Sequence, residues 1–173
     1  MENQVNSKNL IVNKGLTLGA AMVLFSLVMY ATGNLLEPHW SGSLITSALF
    51  IGIVVWGIKS FKSENGGFLS WGQGVKIGVG IAILAGLINV LYTYVLMNFI
   101  EPDLMNQMME VQNQMYIDAG MTEEQIENTN EMSKKFQSPG ITAAMGIIAY
   151  AIGGFIVSAI GAAIMKKSEE NQY

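Results

Sequence analysis

Four long blocks without charged residues constrain the fold of this chain more than any other feature. They contain no Asp, Glu, Lys, Arg or His and cover residues 15–36, 41–58, 77–100 and 140–165. An α-helix rises 1.5 Å per residue and the hydrocarbon core of a bilayer is about 30 Å thick, so about 20 residues cross it. Four buried helices of this kind would leave a 173-residue soluble protein without a polar shell. We therefore predict four transmembrane helices, over about residues 15–36, 41–59, 74–100 and 140–165.

The composition supports a membrane protein and excludes several other classes. Charged residues make up 13% of the chain, whereas soluble proteins carry about 25%. Cysteine is absent, so a disulfide framework and a thiolate metal site are impossible. The net charge of −4 argues against nucleic-acid binding, which requires a basic face. One histidine, His39, cannot form a multi-histidine metal site, and we expect neither a metal nor a cofactor.

The whole chain, residues 1–173, is predicted to form a single membrane domain. The first block, preceded by Lys8 and Lys14, has some features of a signal peptide. Its apolar stretch is longer than the roughly 7–15 residues of a signal-peptide core, so we expect a retained span.

The distribution of lysines predicts the orientation. Seven of the nine lysines would lie on one side of the membrane: Lys8, Lys14, Lys59, Lys62, Lys76, Lys166 and Lys167. The other side has only Lys134 and Lys135. The positive-inside rule therefore predicts a multi-pass membrane protein with both termini in the cytoplasm.

The long segment at residues 101–139 is predicted to form an acidic helical hairpin outside the cell membrane. Gly120 is typical of a residue just beyond a helix C-terminus, and Thr122 with Gln125 indicates a capping box for a second helix. The first helix carries an apolar stripe at helical spacing, made of Leu104, Met108, Val111 and Met115. This stripe is a candidate partner surface, because methionine side chains adapt readily to a partner. The alternative is a hairpin that only covers the outer ends of the spans.

Small residues recur four positions apart in all four spans, which lets helix backbones approach closely in lipid. The rows are Gly15 and Gly19; Ala48 and Gly52; Gly74 and Gly78; Ala82 and Gly86; and Gly154, Ser158 and Ala162. Asn89 lies near the middle of the third span, where an unpaired amide is costly. We expect it to be a structural polar clamp that bonds Ser26, Ser47, Ser158 or a backbone carbonyl.

The spans lack the groups on which most membrane chemistry depends. Proton relays and ion-coupled carriers place ionisable residues at membrane depth, and none of the four blocks has one. No span contains proline, so the broken helices of many transporters are not indicated. No nucleophile is paired with a base. We therefore expect that the protein is not an enzyme and has no catalytic residues.

Two motifs flank the third span. One is the run from Gly66 to Gln73 followed by Lys76, and the other is the run from Asn98 to Leu104, before a helix-Gly-helix segment and a final span. Together they resemble the bacterial family known as domain of unknown function 4199, whose members look like small four-span inner-membrane proteins. The resemblance therefore implies a multi-pass protein of the bacterial cytoplasmic (inner) membrane. The resemblance implies the same topology as the charge pattern. It implies no activity, cofactor or functional residue.

The predicted fold is thus all-α: an integral membrane four-helix bundle with an extracytoplasmic helical hairpin between the third and fourth spans. The expected function is that of an accessory or scaffolding subunit, which associates with the lipid bilayer and with a second copy or another membrane protein. The alternative is a carrier or binder of a small molecule or lipid, which would use a cavity around Asn89, Tyr92, Tyr94 and Tyr150. A membrane enzyme subunit whose partner performs the catalysis is a third possibility.

Overall fold

The computed structural model describes residues 6–36, 40–136 and 138–167. These residues form six α-helices and no β-strand. The helices are α1 (Ser7–Ala31), α2 (Trp40–Glu64), α3 (Trp71–Val95), α4 (Leu104–Asp118), α5 (Glu123–Phe136) and α6 (Pro139–Met165). A π-helical turn, Leu96–Ile100, extends α3.

Four of the helices are long and apolar enough to cross a membrane. They are α1, α2, α6 and the continuous helix Trp71–Ile100. The prediction of an all-α protein with four apolar spans is therefore confirmed. The first two helices extend beyond the charge-free blocks, because α1 begins at Ser7 and α2 continues to Glu64. Lysine is a good helix former, so a helix can continue through lysines that lie beyond the hydrocarbon core.

The predicted start and stop signals act as expected. The Ser70 hydroxyl accepts a hydrogen bond from the Gln73 amide, and the Gln73 side chain accepts one from the Ser70 amide. Thr122 and Gln125 form the same reciprocal pair before α5. Gly120 ends α4 with a φ of 81° and donates its amide proton to the Ile117 carbonyl. This left-handed conformation favours glycine and turns the chain from α4 into α5.

Helix α3 packs closely against α6 through the predicted small residues. A Cβ atom added at Gly74 would lie 2.5 Å from the Ala162 Cβ, and one added at Gly78 would collide with Ser158. Gly154 faces Ala82 equally closely. Such contacts let two helix backbones approach and replace the hydrophobic effect as the source of association in lipid.

Helix α1 uses its own glycines against α3, whereas the row in α2 contacts no helix. A Cβ atom at Gly15 would lie 2.8 Å from Leu84 and one at Gly19 would lie 2.5 Å from Ile88. Gly52, by contrast, has no atom within 4 Å of an added Cβ, and Ala48 is exposed. The α2 row therefore faces away from the other helices.

The buried core lies toward one end of the four long helices, which we call the lysine-rich end because Lys62, Lys76 and Lys167 mark it. The largest fully buried side chains of the spans are Leu18, Val54, Ile58, Ile77, Ile81 and Ser158. All six belong to the half of their helix nearer the lysines. Dense packing is thus concentrated in one half of the assembly.

Hydrogen bonds close the lysine-rich end. Leu69 and Lys167 exchange both backbone hydrogen bonds, at 3.0 and 2.9 Å, in an isolated bridge. Lys62 Nζ donates to the Met165 carbonyl at 2.8 Å and so caps the last turn of α6. Lys14 Nζ lies 3.0 Å from the centroid of the Trp56 ring, a cation–π contact between α1 and α2.

Replacement of a packed glycine tests the importance of the α3–α6 contact. Gly78→Leu should lower the free energy of unfolding by about 1–3 kcal/mol, because the added side chain overpacks the interface with Ser158. Gly52→Leu is the matched control and should change stability little, since its site is open. Unfolding in lipid nanodiscs, followed by circular dichroism, measures both. Equal losses in the two variants would contradict this packing role.

Candidate functional site

Three clefts lie between the long helices toward the end that carries α4 and α5. An α1–α2 cleft has a volume of about 430 Å³, an α3–α6 cleft about 560 Å³, and an α2–α6 cleft about 450 Å³. The close packing of the lysine-rich half does not continue here. Each of the three clefts has room for a ligand of small-molecule or lipid size.

Tyr150 of α6 lines all three clefts. Its ring packs edge-to-face against Phe50, with centroids 5.8 Å apart, and its Cβ lies 2.9 Å from a Cβ atom built at Gly86. Gly86 therefore provides the space that lets the tyrosine sit against α3. Among the described residues the Tyr150 hydroxyl makes no hydrogen bond.

Asn89 of α3 lines both the α1–α2 and the α3–α6 clefts. Its Nδ2 donates to the Ala85 carbonyl at 3.0 Å, one turn back in the same helix. The backbone-carbonyl option of the prediction is thus the one that the structure contains. A role as a clamp between helices stays a prediction, because within the described chain this hydrogen bond does not reach a neighbouring helix.

The tyrosines of the predicted cavity have different positions. Tyr94 lines the α3–α6 cleft together with Tyr150. Tyr92 lines none of the three clefts, and its hydroxyl is buried without a hydrogen-bond partner among the described residues. The α3–α6 cleft also contains polar groups that the sequence did not single out, namely Thr93, Asn98 and Thr142.

Glu101 connects three parts of the structure where α3 meets α4. Tyr30 of α1 donates its hydroxyl proton to Glu101 Oε2 at 2.9 Å, and Gln107 of α4 donates to Oε1 at 3.3 Å. The Glu101 amide closes the π-helical turn by donating to the Leu96 carbonyl at 2.7 Å. Such turns are frequent at functional sites. Sequence reasoning did not assign Glu101 a role and missed this junction.

Helices α4 and α5 pack mainly against each other, and we call residues 104–136 the α4–α5 unit. Asn130 Nδ2 donates to Asn113 Oδ1 at 3.0 Å, and Ile126 is buried. These residues, with Ile117 and Met121, border a groove between the two helices. Met105, in the first turns of α4, lines the α3–α6 cleft instead.

The exposure of the predicted stripe on α4 changes along the helix. Leu104 is 3% exposed and Val111 is partly buried, whereas Met108 is 45% and Met115 is 65% exposed. Leu104 therefore packs at the base of the unit and cannot offer a free surface. The two methionines are accessible. Binding of a partner by this stripe stays a prediction.

Within the described ranges, no group of three or more His, Asp or Glu residues is placed to hold a metal ion. His39, with Glu37 and Pro38, lies outside the described residues.

Removal of one hydroxyl tests the Glu101 junction. Tyr30→Phe should accelerate amide hydrogen exchange in the first turns of α4, because Glu101 loses the donor that ties it to α1. Tyr94→Phe removes a hydroxyl that makes no hydrogen bond in the described chain, and exchange in α4 should stay at the wild-type rate. Hydrogen exchange with mass spectrometry compares residues 104–107. Unchanged exchange in Tyr30→Phe would show that the junction does not hold α4.

Comparisons with known proteins identify the family. No curated protein and no solved structure matches the chain. A family model described as "Protein of unknown function (DUF4199)" matches residues 13–167, which include all four candidate spans from the second turn of α1 onward. The resemblance noted in the motifs around α3 is thus confirmed over most of the sequence, and the chain belongs to the domain of unknown function 4199 family.

Proposed function

We propose that this protein is a non-enzymatic accessory or scaffolding subunit of the bacterial inner membrane that acts through helix packing and the α4–α5 unit. The observation that carries the proposal is a set of large apolar side chains on that unit, outside the candidate spans. Met108, Met115, Ile117 and Met132 are 45–65% exposed. Lipid accounts for exposed apolar residues on the spans. It does not account for those beyond them, which are typical of a protein–protein contact.

The orientation assigned here follows from charge. The lysine-rich end faces the cytoplasm, together with both termini, according to the positive-inside rule. The α4–α5 unit then forms an acidic hairpin outside the membrane, on a four-helix bundle. Its exposed acids include Glu110, Glu123, Glu124, Glu127 and Glu131. The unit therefore exposes both carboxylates and large apolar side chains, a combination that occurs at protein–protein interfaces.

The partner proposed is a second copy of the chain or another membrane protein. The unit is held to the spans near Glu101 and has few contacts with the long helices elsewhere. The long helices, as far as they are described, therefore leave most of the unit's surface uncovered. Methionine side chains would adapt to a partner without a preformed pocket.

A second candidate function is supported by the clefts. Three cavities of about 430–560 Å³ meet at Tyr150, at the depth of the apolar spans. A scaffold that acts only through its outer surface would not require them. This observation favours a carrier or binder of a small molecule or lipid, which is compatible with an accessory role.

Charge substitution on the exposed methionine tests the accessory function. Met115→Asp should weaken association by about tenfold, roughly 1.4 kcal/mol, if this side chain is buried at the contact. The measurement is crosslinking in native membranes followed by co-purification at low detergent, with both the partner and the oligomer quantified.

The matched control is Asn128→Asp, which adds the same charge at an exposed polar position of α5 and should leave association unchanged. A protein that stays monomeric and partner-free in native membranes would contradict the accessory function. Equal association of wild type and Met115→Asp would show that this surface is not the contact.

A further inference from the structure

Asn89 and Tyr150 lie at a depth where water does not provide hydrogen-bond partners. Thirteen residues separate Lys76 from Asn89 along α3, which is about 20 Å of helix. Sixteen residues separate Tyr150 from Lys166 along α6, or about 24 Å. With the lysines at one interface of a core about 30 Å thick, both polar residues lie inside the hydrocarbon. Polar groups at this depth are costly unless they are paired.

Both residues have hydrogen-bonding capacity that the described chain does not use. Within the described ranges the Tyr150 hydroxyl makes no hydrogen bond, and Asn89 donates one amide proton to the Ala85 carbonyl while its Oδ1 accepts none. Both side chains line the α3–α6 cleft. A hydroxyl donor and an amide acceptor are therefore available at the deep end of one cavity.

Among the described residues, those that line the α3–α6 cleft include no Asp, Glu, Lys or His. A charged head group at Asn89 would lose its hydration and find no counter-ion, whereas an uncharged hydroxyl or carbonyl would satisfy the groups already present. The charge pattern of the site therefore selects an uncharged ligand.

The shape of the cleft indicates entry from the bilayer. It follows α3 from Asn89 to Asn98, about 14 Å of helix. Leu91 and Tyr94 on its wall are 67% and 51% exposed, so the cleft is open sideways to lipid. Met105 of α4 covers part of the end nearest the α4–α5 unit. A ligand with an apolar chain can thus enter within the membrane plane.

We propose that the α3–α6 cleft binds an uncharged membrane lipid with a compact hydroxyl- or carbonyl-bearing head. Tyr150 donates to this head and Asn89 Oδ1 accepts from its hydroxyl, while the chain lies along Leu91 and Met97. The proposal rests on the second candidate function, ligand binding, and does not depend on association through the α4–α5 unit.

Photocrosslinking in nanodiscs tests the proposal. The full chain is reconstituted in dioleoylphosphatidylcholine with a diacylglycerol that carries a diazirine in one acyl chain, and labelled peptides are mapped by mass spectrometry. Labelling should concentrate at residues 89–98 and 142–150. Unlabelled dioleoylglycerol should compete at lower concentration than the anionic dioleoylphosphatidylglycerol.

Two variants and two matched controls identify the site. Tyr150→Phe should reduce specific labelling about fivefold, because it removes one hydrogen bond. Gly146→Phe should reduce it further by filling the cleft, which Gly146 lines. Tyr116→Phe removes a hydroxyl in α4, and Gly52→Phe adds a ring at an open, lipid-facing position. Both controls should label like wild type.

Each outcome has a distinct meaning. Equal competition by the anionic lipid, or wild-type labelling of Tyr150→Phe, would overturn the proposed ligand class and site. No saturable labelling by either lipid would also overturn the second candidate function. If Gly146→Phe does not fold, as judged by circular dichroism, the conservative Tyr150→Phe variant alone tests whether the lipid binds in the α3–α6 cleft. Labelling should persist in Met115→Asp, because the accessory surface is independent of the cleft.

Discussion

Helices α3 and α6 form the most extensive helix–helix contact of the described structure. Lipid removes the hydrophobic effect as a driving force between spans, so association must come from van der Waals packing of close backbones. Gly74, Gly78 and Gly154 provide this approach, each against a small residue of the other helix. Helix α1 then packs on α3 through Gly15 and Gly19. The remaining contacts are built around this pair.

Because this close packing is concentrated at the lysine-rich end, space remains between the helices in the other half of the spans. The close α3–α6 contacts extend to the level of Gly86, where the small partner is replaced by the Tyr150 ring. Beyond this level the helices enclose clefts rather than a core. The Glu101 junction joins α1, α3 and α4 at the end of the open half. One half of the molecule thus provides stability, and the other provides the surfaces and cavities proposed for function.

Local chemistry made much of the fold predictable from sequence. The four spans follow from the absence of charge, and the capping boxes at Ser70 and Thr122 act over three residues. Gly120 ends α4 because a left-handed turn favours glycine. Small-residue spacing correctly indicated the packed faces of α1, α3 and α6. The same spacing in α2 does not mark a face packed within the chain, because Ala48 is exposed and no atom lies within 4 Å of a Cβ atom added at Gly52.

The site depended on long-range geometry that sequence periodicity does not contain. Tyr30 and Glu101 are 71 positions apart, and their pairing requires the register between α1 and α3. Asn89 was found by its polarity in an apolar span, but the clefts that it lines arise from how four helices diverge. The stripe on α4 was correct in spacing, yet Leu104 is buried because the unit is anchored at its base.

We propose that the four long helices cross the bilayer with the α4–α5 unit outside and the lysine-rich end in the cytoplasm. The chain has no cysteine, so Asn128→Cys in α5 and Ser63→Cys near the end of α2 each introduce a single reactive thiol. We predict that a membrane-impermeant maleimide labels Asn128→Cys in intact spheroplasts and labels Ser63→Cys only after the membrane is disrupted. The reverse pattern would show that the orientation is inverted, and labelling of both in intact spheroplasts would contradict the spanning arrangement itself.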